Sequence, residues 1–133
     1  MLFAVGASFV FTFILGSLWY SPLLFGRTWA RLAYPNTRME DLGKGGSFVY
    51  PMVVSNVGHL LMCAFLNMLL RNYIHASSIQ EATQSSLLVA VIVVSPQVAH
   101  TAFQKKPWLL YLIDQSYDAT VIVACSVIMT WLG

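Results

Sequence analysis

Two carboxylates, Asp114 and Asp118, interrupt an apolar stretch near the end of the chain, with Tyr117 between them. A spacing of four residues puts both on one face of a helix. Asp118 falls eleven residues beyond Pro107, roughly 16 Å along an axis rising about 1.5 Å per residue. In a membrane-crossing helix that depth is near mid-bilayer, where a carboxylate costs about 2.5–3.5 kcal/mol on insertion scales. Two of them in one helix call for partners or a purpose. Closely spaced carboxyls titrate as a unit, so one can hold a proton as general acid while the other, or a histidine, acts as base. Asp118 is the expected acid, with Asp114 and His100 as a coupled base.

The remaining polar groups of the apolar stretches line up with this pair. Gln97, His100, Thr101 and Gln104 recur at helical spacing and form a narrow polar stripe. Pro96 beside it removes a backbone donor, leaving the Ile92 carbonyl free and predicting a kink. Asn56, His59, Cys63 and Asn67 fall along one side of an earlier helix. Near the start, Ser8, Thr12 and Gly16 make a small-residue ridge suited to close helix approach, followed by Trp19 and Tyr20. The polar faces can converge on Tyr20, Asn56, His59, Gln97, His100, Asp114, Tyr117 and Asp118. In that arrangement Trp19, Tyr20, Asn56, His59, Gln97 and Tyr117 are the candidate substrate-binding residues. A plainer reading competes: Trp19 and Tyr20 as anchors at the membrane surface, and His–Asp contacts as glue between helices. Cys63 and Cys125 lie in apolar runs and are expected to be reduced packing residues. No CxxC or Cys/His ligand spacing occurs, so no metal site is expected.

These residues need elements to hold them, and composition says which kind. Apolar residues make up 58 % of the 133 and charged residues 9 %, where a soluble domain carries about 25 % charged. Mean hydropathy is +0.70. One crossing helix needs about 20 apolar residues, so the fold class expected is an all-α integral membrane bundle of four transmembrane helices in a single domain. Their expected spans are about 2–25, 48–70, 79–104 and 107–132. The first run lacks the basic opening of a cleaved signal and is expected to be a retained helix. In the first link, Thr37-Arg38-Met39-Glu40 has capping-box spacing, predicting a short interfacial helix at about 38–42. Ser78-Ile79-Gln80-Glu81 repeats that spacing before the third helix, and Pro107 suits the first position of the fourth. Arg27, Arg31, Arg38, Lys44, Lys105 and Lys106 fall in the first and third links, and only Arg71 on the other side. Positive charge concentrates on the cytoplasmic side, so both termini are expected to be non-cytoplasmic. A net charge of +2, spread beside the apolar runs, gives no reason to expect a nucleic-acid partner.

Residues 16–29 read GSLWYSPLLFGRTW. This segment resembles the signature of a small membrane family, fungal and bacterial, known as domain of unknown function 1761. Members look like four-helix proteins in which a tryptophan-tyrosine-x-proline segment closes the first helix. The link Thr37 to Leu42, the turn Lys106-Pro107 and the run Leu112-Ile113-Asp114 are similar to later family regions, although many members have Asn where Asp114 stands. The resemblance implies the four-helix fold and no particular activity.

Two functions fit these residues. One is an acid–base enzyme, of isomerase or cyclase type, acting on a lipophilic small molecule. No cofactor motif is present, so cofactor-free chemistry is the expectation. The other is a proton- or solute-translocating unit, or an accessory subunit of a larger membrane complex, where oligomerisation would build the pathway. The lipid bilayer is the expected partner in either case.

Overall fold

A computed structural model describes residues 2–133. Its elements are α1 (Leu2–Trp19), α2 (Gly26–Ala33), α3 (Val49–Leu69), α4 (Ile79–Val94), α5 (Gln97–Phe103) and α6 (Trp108–Leu132), with no strand among the described residues. Four stretches are long and apolar enough to cross a membrane: Leu2–Trp19, Val49–Ile74, Ile79–Phe103 and Trp108–Leu132. Large apolar side chains such as Phe13, Val57, Phe65, Leu88, Ile92 and Leu112 are left exposed on them. That pattern suits a lipid solvent and marks a multi-pass membrane protein.

α1 stops at Trp19 instead of running on to about residue 25. Pro22 has no N–H and disfavours helical backbone at Ser21 before it. The chain turns instead: the Phe25 amide donates to the Trp19 carbonyl at 3.0 Å and the Gly26 amide to the Ser21 carbonyl at 2.9 Å. Gly26 makes this turn possible, since a Cβ there would lie 2.1 Å from the Tyr20 carbonyl oxygen. Residues 20–25 form this turn, and α2 follows it as a short helix that was not among the expected spans. Further along the first link, residues near 38–42 form only a 3-10 turn, Met39–Asp41, flanked by Arg38 with no side-chain cap. The Thr37 capping box is therefore not made. Glycines at positive φ (Gly43, Gly45 and Gly46) carry the rest of the link through a second 3-10 turn, Lys44–Gly46.

The box before α4 does form, shifted by one residue on its return side. Ser78 Oγ accepts from the Glu81 amide at 3.2 Å, while the Glu81 carboxylate accepts from the Ser77 amide and hydroxyl at 2.8 and 2.9 Å. α4 and α5 are one span broken at Ser95-Pro96. The Val98 amide bonds to the Ser95 carbonyl at 3.2 Å, and Tyr111 from α6 donates its hydroxyl to the Val94 carbonyl at 3.2 Å. The kink is thus repaired by a side chain from the neighbouring helix. Pro107 flanks α6, which starts at Trp108.

α6 is the centre of the bundle, packed against α4 on one side and α1 on the other, while α3 leans on α1 and touches α6 more lightly. Small residues make the close approaches possible. On α1 the buried face is Ala4, Ser8 and Thr12, and on α4 it is Ala82, Ser86 and Ala90. Both recur every four residues. One end of the bundle is closed by a cluster that includes Ala4, Leu66, Leu70, Ala82, Cys125 and Met129. The other end is open on one side: no residue of α3 before Cys63 is buried, and after Ala90 the α4–α5 span buries only Thr101.

Candidate functional site

Asp114 sits in the second turn of α6 and is held from the turn that follows α1 and from α2. Its Oδ1 accepts the Tyr20 hydroxyl and the Trp29 indole N–H, each at 2.9 Å. One turn of chemistry surrounds this contact. Trp19 donates its indole N–H to the Ile113 carbonyl at 3.2 Å. Tyr117, only 5 % exposed, donates to the Thr12 carbonyl at 3.1 Å. Gly16 lies where a Cβ would come 2.9 Å from the Tyr117 hydroxyl oxygen, so a larger residue would push that ring away. The rings stack edge to face, Tyr20 on Trp29 at 5.4 Å and Tyr20 on Tyr117 at 5.3 Å between centroids. Burial first, and then the Asp114 carboxylate, push the Tyr20 hydroxyl well above its ordinary range. Tyr20 therefore stays protonated and remains the donor.

Segment 16–29 thus folds into a clamp on one carboxylate. Trp29 was not among the candidate site residues; its indole reaches Asp114 because the turn at Pro22 and Gly26 folds α2 back over α6. No spacing rule signals that. Its presence in the same short segment as Trp19 and Tyr20 was the available hint.

Asp118, on the next turn of the same face, is half-buried and has Asp114 as its charged neighbour. No described side chain hydrogen-bonds to it. On the α5 side of Asp114 lies a cavity of about 230 Å³, bordered by Gln97, His100, Gln104, Lys106, Tyr111 and Gln115 as well as Asp114. Lys106 is near enough for its charge to act on Asp114. The Gln115 Oε1 atom is buried there without a hydrogen-bond partner. His100 and Asp114 therefore border the same cavity and make no direct hydrogen bond, while Tyr20 and Trp29 take the carboxylate's Oδ1. Gln97 and His100 are exposed residues on this wall.

α3 contributes less. His59 is half-buried, its ring meeting Tyr117 edge to face at 5.7 Å, with Nδ1 3.4 Å from Ser55 Oγ. Asn56 turns its amide back on its own helix, donating to the Met52 carbonyl at 2.8 Å. The structure thus brings Trp19, Tyr20, His59, Asp114 and Tyr117 together with Asp118 beside them. Gln97 and His100 stand across the cavity, and Asn56 is turned away.

The fold and this cluster define a four-span helical membrane protein with a clamped carboxylate inside one half of its bundle. Residues 3–130 match the family model described as "Protein of unknown function (DUF1761)", and the chain belongs to that family. No curated protein and no solved structure matches it.

Proposed function

We propose that this protein binds a lipophilic small molecule at the cavity between α5 and α6 and performs proton-transfer chemistry on it, with Asp118 as the acid. The observation that carries this reading is the asymmetry of the two carboxyls. Asp114 is engaged by two neutral donors, whereas Asp118, one turn away on the same face, has none and is left free to give a proton to a ligand. Tyr20 and Trp29 fix Asp114, one turn before Asp118 on the same helix. The open side, where α3 stands off, offers entry from lipid, and the polar cavity offers a place for a ligand's polar group. At about 230 Å³ it lies below the usual 300–1,000 Å³ of sites that enclose a drug-sized molecule. It suits the head of an amphiphile whose tail stays in the bilayer. His100 and Lys106 supply the donors that would orient such a head.

Translocation through the bundle finds less support, since Leu66, Val121, Cys125 and Met129 fill the half beyond Asp118, each at most 5 % exposed.

The test is to purify the protein and its Asp118→Asn variant from the same membranes and compare the molecules released from each. The variant keeps size and hydrogen-bonding capacity but cannot release a proton. It should insert normally and retain an unconverted species, which the parent protein converts at least about 10²-fold faster. Isomerisation conserves mass, so chromatography rather than mass alone separates the two species. Identical contents, or equal conversion rates, would remove Asp118 from the chemistry and leave the helix-glue reading in front.

A further inference from the structure

The closed end of the bundle holds a second cavity, of about 260 Å³, bordered by Asn67 and Arg71 from α3 and its extension, Ser77 ahead of α4, and Met129, Thr130 and Gly133 at the end of α6. It is separated from Asp118 by the packed residues Val121 and Cys125 and plays no part in the acid–base reading. Three features set it apart. First, Asn67 is 3 % exposed, yet its Nδ2 has no hydrogen-bond partner. Burying an amide without a partner is costly, and a ligand acceptor would remove that cost. Second, Arg71 is half-buried with its guanidinium against Gly133 at the end of α6, and the two ion pairs among the described residues, Arg38–Glu40 and Lys44–Asp41, do not include it. Third, α3 does not end in an ordinary cap. It passes into a π-helical turn, Leu70–Ile74, closed by His75 at φ +54°. Such turns re-aim side chains and recur at functional sites. This one contains Arg71, which borders the cavity.

The donors left for a ligand are the Arg71 guanidinium, the Asn67 amide and the Thr130 hydroxyl. The Ser77 hydroxyl is already given to Glu81 at 2.9 Å. The set is donor-rich with a planar, permanently charged fork at its edge, which matches an oxyanion better than any other small group. We propose that this cavity binds the oxyanion of a phosphate group, with Asn67 Nδ2 and Arg71 as its ligands. The same chemistry is offered by a phospholipid headgroup and by free phosphate. Arg71 closes a membrane span, at the depth where either could reach it.

The full-length protein in a phosphate-free maltoside micelle distinguishes these sources. Its thermal unfolding would be followed with inorganic phosphate, with phosphatidylglycerol and with diacylglycerol, against chloride at matched ionic strength, and lipid retention read by native mass spectrometry. Stabilisation by phosphatidylglycerol alone identifies a headgroup site, and stabilisation by inorganic phosphate identifies a soluble-anion site. In either case Arg71→Gln and Asn67→Asp should weaken binding at least about tenfold, as expected from losing one charge-assisted hydrogen bond. Arg71→Lys keeps the charge without the fork and covers the case in which Arg71→Gln fails to fold; it should fold and bind more weakly than the parent. Asn67→Leu should leave ligand-free stability unchanged or higher, since the orphan amide is gone. Equal response to diacylglycerol, no response to either phosphate probe, or full binding by the Arg71 and Asn67 variants would each overturn the proposal.

Discussion

Asp114 shows how a costly group is kept inside an apolar helix. A carboxylate there must be matched by donors, and this chain uses two aromatic ones, so that the same side chains supply N–H and O–H on their polar edges and apolar area everywhere else. Hydrogen bonds to charged groups contribute about 1.5–3 kcal/mol. We expect Trp29→Phe to destabilise the protein by about 1–2 kcal/mol in reversible unfolding from mixed micelles, and Asp114→Asn to abolish roughly half of that loss. In a double-mutant cycle the two changes should therefore be non-additive by about 1 kcal/mol. Strict additivity would show that the indole N–H bonds elsewhere. The paired carboxylates were legible from their spacing and depth alone. Their unequal treatment was not, because the donors to Asp114 lie 85 and 94 residues away in sequence.

The kinked span Ile79–Phe103 illustrates a feature that a single residue announces and a neighbour completes. Pro96 predicts the break, and the break occurs at Ser95-Pro96. Which carbonyl is repaired, and by what, depends on α6: Tyr111 donates to Val94 at 3.2 Å. Beyond the break, α5 and the start of α6 border the 230 Å³ cavity. Pro96→Ala should let the helix run through, restoring a backbone hydrogen bond. The expected result is a raised thermal midpoint together with less co-purifying ligand. A lowered midpoint would mean that the kink is needed for α4 to pack on α6. At α1 the lesson runs the other way, since apolar residues continue to Phe25 while the helix stops at Trp19. Hydropathy cannot see a turn whose residues are as apolar as the helix before it.

The bundle as a body is closed at one end and open at the other, with the clamped carboxylate in the open half. The positive-inside bias predicts an orientation: links carrying Arg27, Arg31, Arg38, Lys44, Lys105 and Lys106 are expected to face the cytoplasm. Replacing Lys44 or Lys105 by Cys should give a thiol that labels only after the cytoplasmic side is opened to an impermeant reagent. Labelling in intact cells would invert the topology and place the open half of the site on the outer face. Cys63 and Cys125, both buried, should give little background.

Composition, span length and the positions of Pro96 and the two Asp residues are local quantities, and they were enough to specify four apolar helices, a kink and a polar face on the last of them. Segment 16–29 was legible as a family signature, but not as a clamp. The Asp114–Trp29 contact, the small-residue ridge Ala82, Ser86 and Ala90, and the standing-off of α3 were decided only by tertiary structure. Each depends on which helix neighbours which, and in a lipid solvent apolar area does not choose neighbours, since tails are as apolar as leucine. Close backbone approach and the need to satisfy polar groups make that choice. Both are properties of pairs of surfaces, and no one stretch of sequence contains a pair.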